Sequence, residues 1–227
     1  MLSYFLLVAL TAFAGLTSAR PAIQGRATFF NSFWTDGKSK VSYKNLANGQ
    51  FTVTWDKGGN FVGGKGWNPG SATRYVSNLK AFDKASAIHA RRVISWEGEF
   101  KPQGYAYLAI YGWTTNPLIE YYIIESYHPD HEPAAPPEGE EKGNVTSDGS
   151  LYLIRTKMRV NKPSIQGTAT FRQIFSVRQD QRENGTVNVA NHFQAWKDVG
   201  LKTGAMNYQI VAVEGMNSSG MASINVL

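Results

Sequence analysis

The feature that most restricts the fold is a regular alternation of side-chain character along many short segments. In GYAYLAIYGW (104–113), the residues Tyr105, Tyr107, Tyr111 and Trp113 all fall on one parity. Successive side chains of a β-strand point to opposite faces, so this pattern predicts strands whose two faces have different surroundings. The same alternation recurs at residues 119–126, 151–160, 168–177, 207–215 and 221–227.

Turn-forming clusters separate these segments. They are KGGN (57–60), NPGS (68–71), SDGS (147–150) and NSSG (217–220). Many strands with turn signals between them predict an all-β fold, an antiparallel sandwich or barrel. A chain of 227 residues can bury one sizeable core but is short for two, so we expect one domain.

Two segments depart from the strand pattern. Residues 189–199 carry Phe193, Trp196 and Val199 at helical spacing before Gly200, which predicts one helix. Residues 128–141 are rich in proline and glutamate and predict a loop. We expect no metal site in this loop, because His128 and His131 have too few other candidate ligands nearby in the sequence.

The first nineteen residues are typical of a secretion signal. An apolar run from Tyr4 to Leu16 ends in Thr17-Ser18-Ala19, which fits a signal-peptidase site. The run is shorter than the roughly 20 residues that a membrane span needs. We therefore expect residues 1–19 to be removed and residues 20–227 to be secreted, without membrane contact after cleavage.

Charge and cysteine content exclude other classes. The net charge is +6, from 23 Lys and Arg against 17 Asp and Glu, but the basic residues are scattered, so we expect no nucleic-acid partner. There is no cysteine, which excludes disulfides and thiolate chemistry. Asn144, Asn184 and Asn217 begin glycosylation sequons, which matter only in a eukaryotic host.

Candidate catalytic groups are the carboxylates inside apolar strands. Glu120 and Glu125 interrupt PLIEYYIIES (117–126), and Glu214 interrupts YQIVAVEG (208–215). A carboxylate is costly to bury unless it is paired, so such residues often face a cleft or lie at a strand edge. By parity, Glu120 shares its face with Tyr122 and Glu214 shares its face with Tyr208, while Glu125 points the other way. Two carboxylates among tyrosines fit glycoside hydrolysis, and a sugar-binding lectin stays open.

Several segments resemble the family-11 endo-β-1,4-xylanases. The most specific are PLIEYYIIES (117–126) and EGMNSSG (214–220), and the similarity runs in order from about residue 32 to residue 226. Further matching segments are NSFWTDG (31–37), GNFVGGKGWNPGS (59–71), NKPSIQGTATFRQIFSVRQ (161–179) and NHFQAWKDVGL (191–201). The resemblance implies a jelly-roll β-sandwich of two twisted antiparallel sheets that form a cleft, with one α-helix.

The resemblance also implies roles for individual residues. Glu120 matches the nucleophile and Glu214 the acid/base of a retaining double displacement on xylan. Pro163 matches the tip of a thumb that closes over the sugar, and Asn60 matches a neighbour of the acid/base. The other matched cleft residues are Trp34, Tyr111, Tyr122, Arg159, Gln173 and Tyr208. No cofactor or metal is implied, and we expect a monomer.

The main rival interpretation is a catalytically inactive or lectin-like carbohydrate-binding sandwich. A second is a β-1,4-glucanase on a similar jelly roll, which the thumb motif disfavours. Phe30, Phe175 and Met216 stand where many family members have Tyr, Trp and Tyr. These three departures put the strength of the sugar subsites in doubt more than the chemistry.

An atypical insertion covers about residues 73–91. Without it, Ser71-Ala72 would join Arg92-Val93 in a continuous turn and strand. Two interpretations stay open. The segment is either a genuine surface insertion, which loops tolerate at low entropic cost, or a retained in-frame intron that has been translated.

Overall fold

The structure is a computed structural model that describes residues 29–38, 40–71 and 93–227. The predicted signal peptide (1–19) and the predicted insertion (73–91) lie outside the described residues. The elements, in chain order, are β1 (Phe30–Thr35), β2 (Val41–Asn45), β3 (Gln50–Trp55), β4 (Asn60–Trp67), β5 (Val93–Gln103), β6 (Ala106–Thr115), β7 (Ile119–Tyr127), β8 (Glu140–Ser147), β9 (Ser150–Ser164), β10 (Gly167–Arg178), β11 (Gly185–Asn188), α1 (Val189–Asp198), β12 (Ala205–Met216) and β13 (Ser219–Val226).

The strands form two sheets. The larger has eight strands in the order β1-β4-β12-β6-β7-β10-β9-β8, and the smaller has five in the order β11-β5-β13-β3-β2. The expected all-β jelly roll with one helix is confirmed. One detail differs from a wholly antiparallel arrangement: β7 and β10 pair in parallel, with Gln173 opposite Glu120. The β8–β9 hairpin lies between these two strands in sequence, and a long connection is what parallel pairing requires.

The main core lies between the two sheets. It is built from alternate residues of each strand, such as Leu108 and Ile110 of β6 and Val211 and Val213 of β12, all essentially inaccessible to solvent. The intervening residues of the same strands form a second, aromatic-rich cluster on the other face of the eight-stranded sheet. Burial of apolar surface on both faces explains why these central strands are apolar at nearly every position.

The helix α1 begins at Val189 and ends at Asp198, so the predicted helix is confirmed. It completes the main core: the indole of Trp196 is fully buried, its Nε1 donates to Ser176 Oγ at 2.9 Å, and its ring lies 5.8 Å from that of Tyr121. The predicted loop is present, although its last two residues, Glu140 and Glu141, already belong to β8. Among the described residues, no helix has the length and apolar character needed to cross a membrane.

The β9–β10 hairpin forms a projecting thumb, defined here as residues 159–169. Its turn is closed by the Ser164 hydroxyl, which donates to the carbonyl of Gly167 at 2.7 Å. Gly167 has φ +83°, a conformation that favours glycine. A register shift between Ala169 and Phe171 bends the hairpin, and such irregularities re-aim side chains. Pro163 and Ile165 of the thumb line the cleft described next.

Candidate active site

A cleft of about 490 Å³ lies on the face of the eight-stranded sheet that is turned away from the smaller sheet. Strands β1, β4, β12, β6, β7, β10 and β9 each contribute to it. Its lining consists of Ser32, Trp34, Asn60, Val62, Tyr111, Trp113, Glu120, Tyr122, Arg159, Pro163, Ser164, Ile165, Phe171, Gln173, Tyr208, Glu214 and Met216. All ten residues predicted for the site are therefore brought together in one cleft.

Strand register explains how the two glutamates reach the same cleft. Glu120 of β7 lies opposite Trp113 of β6, and Glu214 of β12 lies opposite Tyr107 of β6. Because β7 and β12 flank β6, and because all four residues point to the cleft face, the two carboxylates approach from either side of one strand. The parity of the sequence placed them on this face without fixing how close they come.

Glu120 is held by neutral hydrogen-bond donors. Its side chain is buried, Oε1 accepts from the Tyr111 hydroxyl at 2.8 Å, and Oε2 accepts from Gln173 Nε2 at 2.6 Å. Burial raises the pKa of Glu120, while the hydrogen bonds from Gln173 and Tyr111 and the positive charge of Arg159 oppose that shift. Both carboxylate oxygens are thus satisfied, which favours the ionised form.

Glu214 has a different environment. Its Oε2 atom is buried and has no hydrogen-bond partner. Burial, and after it the negative charge of Glu120, raises the pKa of Glu214 to about 8, with Tyr122 and Arg159 acting in the opposite direction. A buried oxygen without a partner disfavours the carboxylate, so the surroundings of Glu214 favour its protonated form, whereas the donors around Glu120 stabilise its charge.

Aromatic side chains form the walls of the cleft. The ring of Tyr111 lies 5.0 Å from that of Tyr122 and 5.9 Å from that of Tyr208. Trp34 of β1 also lines the cleft and is 42% exposed, so part of its side chain is accessible to a ligand. Such rings are the usual platforms for sugars. Phe175, one of the three departures noted in the sequence, stacks on Tyr122 at 4.8 Å, supporting that ring from beside the cleft.

Two other tyrosines of the same face, Tyr105 and Tyr107, are not among the residues that line the cleft. They pack edge to face at 5.4 Å within the aromatic cluster of the cleft face. Tyr107 in turn packs edge to face with Tyr122 at 6.2 Å. Their role in the structure is to support the cleft tyrosines from the side.

Trp113 and Asp36 contribute polar contacts to the site but were not among the residues predicted from the sequence. Trp113 lines the cleft, and its Nε1 donates to the Tyr111 hydroxyl at 2.7 Å, which leaves that hydroxyl to donate to Glu120. Its parity with Tyr111 was the signal that could have found it. Asp36 accepts from Asn60 Nδ2 at 3.2 Å. No pattern in the sequence indicates this contact, because Asp36 lies just after β1 in an irregular segment.

The third strand glutamate, Glu125, lies on the opposite side of the sheet, away from the cleft. Its Oε2 accepts from Arg182 Nε at 2.6 Å and its Oε1 accepts from the Tyr152 hydroxyl at 2.8 Å. Its side chain is fully buried, and its two partners belong to β9 and to the segment between β10 and β11, so these contacts are structural.

Two buried carboxylates in unlike environments, surrounded by tyrosines in the cleft of a β-sandwich, are the arrangement of a glycoside hydrolase. A family model described as glycosyl hydrolases family 11 matches residues 26–225. Endo-1,4-beta-xylanase 11A of Botryotinia fuckeliana is 50% identical over 213 residues, which is 93% of this chain and 83% of the relative. Endo-1,4-beta-xylanase 2 of Rhizopus oryzae is 49% identical over 198 residues, covering 87% and 82%.

A solved structure agrees with these sequence matches. It is one of two major endo-1,4-beta-xylanases from Trichoderma reesei, and it aligns with a TM-score of 0.73 at 43% identity over 87% of this chain and 97% of that chain. The protein is therefore a glycoside hydrolase. The chain belongs to family 11 of the glycosyl hydrolases.

Proposed function

We propose that this protein is an endo-β-1,4-xylanase that hydrolyses internal bonds of xylan with retention of configuration. In this proposal Glu120 is the nucleophile and Glu214 is the acid/base. The observation that carries the proposal is the inequality of the two carboxylates in one cleft. Glu120 is hydrogen-bonded at both oxygens, whereas the Oε2 atom of Glu214 is buried without a partner.

The first step uses both groups at once. The ionised Glu120 attacks the anomeric carbon while Glu214 gives its proton to the departing glycosidic oxygen, so a glycosyl ester forms as the glycosidic bond breaks. Retaining pairs are about 5–5.5 Å apart. The influence of the Glu120 charge on the pKa of Glu214 is consistent with such proximity.

The second step depends on a change in charge. Once Glu120 is esterified, its negative charge is gone. That charge is the second largest cause, after burial, of the raised pKa of Glu214, so the pKa of Glu214 falls. Glu214, now a carboxylate, takes a proton from water as that water attacks the anomeric carbon. The ester bond breaks, Glu120 leaves as a carboxylate, and Glu214 is protonated again.

The other cleft residues are proposed to bind and orient the sugar. Tyr111 and Gln173 fix the Glu120 carboxylate, and the exposed ring of Trp34 and the thumb residue Pro163 provide surfaces for xylose units. Arg159, which influences both carboxylates, adds positive charge beside them. Tyr122, Tyr208 and Asn60 complete the lining at the reacting centre.

Xylan as the substrate rests on the relatives, which carry endo-1,4-beta-xylanase names, and on the thumb. A polymeric substrate outside the cell also fits the prediction that residues 1–19 direct secretion. The lectin alternative is weaker, because a binding protein gains nothing from a buried, unpartnered oxygen on Glu214.

One experiment tests the substrate and the stereochemistry together. The mature protein is incubated with soluble xylan and, in parallel, with carboxymethylcellulose, and the anomeric protons of the earliest products are followed by NMR. We expect release from xylan alone, with β-anomers first and α-anomers only after mutarotation. α-Anomers first would contradict the double displacement, equal release from both polymers would favour the glucanase, and no release from either would favour the lectin.

A further inference from the structure

Strand β8 forms one edge of the eight-stranded sheet, because it pairs with β9 and stands last in the strand order. An edge strand presents unpaired backbone N–H and C=O groups, to which a strand of another molecule can add. Natural proteins protect such edges with charged side chains, with bulges or by keeping the strand short. The two halves of β8 differ in this protection.

The first half of β8 is well protected. It carries three consecutive charged residues, Glu140, Glu141 and Lys142, and the Lys142 ammonium is ion-paired with Glu140. The register shift between Glu141 and Gly143 adds an irregularity that disfavours pairing with a further strand. The second half, residues 143–147 (GNVTS), carries no charged side chain.

Apolar side chains of β9 lie beside this uncharged half. Asn144 is opposite Leu153, and Thr146 is opposite Leu151. The side chain of Leu151 is 41% exposed. An uncharged edge next to exposed apolar residues is a combination that favours aggregation. The second half of β8 therefore requires a protective element other than charge.

The glycosylation sequon Asn144-Val145-Thr146 lies within this half, and strand geometry orients it. Val145 packs against the main core, whereas Asn144 and Thr146 are exposed. Since alternate residues of a strand point to opposite faces, the amide and the hydroxyl of the sequon lie together on the outward face. A sugar attached to Asn144 would extend into solvent without displacing a core side chain.

The other two sequons have different surroundings. Asn184 precedes β11, whose length of four residues already limits pairing at that edge. Asn217 follows Met216, a residue that lines the cleft, and the backbone N–H of Asn217 donates to the carbonyl of Gly59 at 2.7 Å. A glycan on Asn217 would stand beside the cleft. Asn144 is thus the sequon at which a glycan would protect an otherwise unprotected edge.

We propose that Asn144 is an N-glycosylation site, and that its glycan covers the uncharged half of the β8 edge and prevents a second copy of this chain from pairing there. This inference is independent of the proposed function, because the residues that line the cleft include none from β8. It requires passage through a eukaryotic secretory pathway, to which the predicted signal peptide would direct the chain.

The modification is a group transfer from a lipid-linked oligosaccharide diphosphate. The Nδ2 atom of Asn144 forms a bond to the anomeric carbon of the first N-acetylglucosamine. The bond between that carbon and the diphosphate oxygen breaks, and the lipid diphosphate leaves with its electron pair. The amide nitrogen gives up one proton to a base of the host transferase.

The first experiment tests for the modification itself. The full chain is secreted from a yeast, its peptides are treated with peptide N-glycosidase in heavy-oxygen water, and Asn144 is examined by mass spectrometry. We expect Asn144 to appear as labelled aspartate. Thr146→Ala should lose this glycan although Asn144 is retained, whereas Thr146→Ser should keep it, because serine also supplies the hydroxyl of the sequon. An unmodified Asn144 in the secreted wild type would overturn the proposal.

The second experiment tests the protective role. Secreted Asn144→Gln and wild type are incubated below their unfolding midpoints, and the loss of monomer is followed by size-exclusion chromatography with light scattering. We expect Asn144→Gln to lose monomer several-fold faster, with an unchanged unfolding midpoint. Asn144→Lys also lacks the glycan but places a charge on the edge, so it should stay close to the wild type. Equal loss in Asn144→Gln and glycosylated wild type would refute the protective role.

Two controls separate the glycan from other causes. Wild type and Asn144→Gln produced without glycans in bacteria should lose monomer at the same rate, and a difference there would place the cause in the substitution itself. Asn184→Gln removes a sequon of the same type beside the short strand β11 and should stay close to the wild type. If Asn184→Gln or Asn144→Lys aggregates as fast as Asn144→Gln, the glycan does not act at the β8 edge and the proposal fails.

Discussion

Strand β7 carries two buried glutamates five residues apart, and they differ in every respect that decides function. Glu120 faces the cleft and meets only neutral donors at hydrogen-bond distance, Tyr111 and Gln173. Glu125 lies on the opposite side of the sheet and is ion-paired with Arg182 at 2.6 Å. The same residue type on the same strand is therefore a candidate nucleophile at one position and a structural anchor at the other.

Glu125 and the cleft carboxylates differ in how completely they are paired. Around Glu125 the network is closed, since Arg178 donates to the Tyr152 hydroxyl at 2.6 Å and that hydroxyl donates to Glu125. In the cleft, Glu214 keeps an unpartnered oxygen, and no guanidinium is within ion-pairing distance of either cleft carboxylate among the described residues. Full pairing fixes a charge, while incomplete pairing leaves it available for proton transfer and attack.

The largest expected effect is the loss of turnover when the charge of the cleft glutamate Glu120 is removed. Glu120→Gln keeps the shape of the side chain and an oxygen for Tyr111 but removes the nucleophilic charge. We expect kcat/KM on xylan to fall by at least about 10⁴-fold, with the thermal unfolding midpoint close to that of the wild type. Steady-state kinetics and circular dichroism measure the two quantities.

Glu125→Gln is the matched control on the same strand. It should retain most of the activity at a temperature where the variant is folded. A loss as large as that of Glu120→Gln in a folded Glu125→Gln protein would show that the two faces are not divided between chemistry and structure.

The next effect is on stability. Glu125→Ala leaves the Arg182 guanidinium, 22% exposed, without its partner and opens a void in the buried network. We expect a loss of about 3 kcal/mol in the free energy of unfolding, measured by urea denaturation. Glu97→Ala, at an exposed position where Asn225 donates to the carboxylate at 2.9 Å, should change it by less than about 0.5 kcal/mol. Similar losses in both variants would mean that the Glu125–Arg182 pair is no more than a surface contact.

Part of this contrast could be predicted from the sequence. Alternation along residues 119–126 placed Glu120 and Glu125 on opposite faces, and the same rule brought Glu214 and Tyr208 to one face. Alternation alone fails where the ladder is irregular. A register shift at Leu108/Ala109 leaves Glu125 as an extra residue in β7, so that Tyr127 joins Tyr122 in the cleft-face cluster despite its opposite parity.

The partners of these carboxylates could not be predicted from periodicity. Arg182 is 57 residues from Glu125 and lies in an irregular segment between β10 and β11, where no repeating pattern indicates a direction. Asp36 likewise follows a strand and precedes a turn. Gln173 meets Glu120 only because β7 and β10 pair in parallel, a pairing that depends on the whole connection between them.

The two faces also respond differently to pH. Burial and the charge of Glu120 raise the pKa of Glu214 to about 8, whereas burial raises that of Glu125 only to about 6, because Arg182 and Tyr152 oppose the shift. A carboxyl whose pKa is higher in the folded state keeps its proton after the unfolded chain has lost it. Its contribution to stability therefore declines as pH rises, from 4.5 to about 8 for Glu214 and from 4.5 to about 6 for Glu125.

The smallest expected effect is a change in the pH dependence of stability, which follows from these two pH ranges. Glu214→Gln removes the titration, so the free energy of unfolding of the variant relative to the wild type should increase between pH 4.5 and pH 8 and then level off. The increase should be on the order of 1 to 3 kcal/mol, measured by urea unfolding at pH 4, 6, 8 and 9. For Glu125→Gln the difference should change over a narrower range, mainly between pH 4.5 and about 6, and then level off as Glu125 becomes ionised in the folded state too. A Glu214→Gln difference that is constant from pH 4 to 9 would mean that Glu214 ionises alike in the folded and unfolded chain. The cleft would then hold no proton at neutral pH, and the division between an acid on one face and an anchor on the other would not exist.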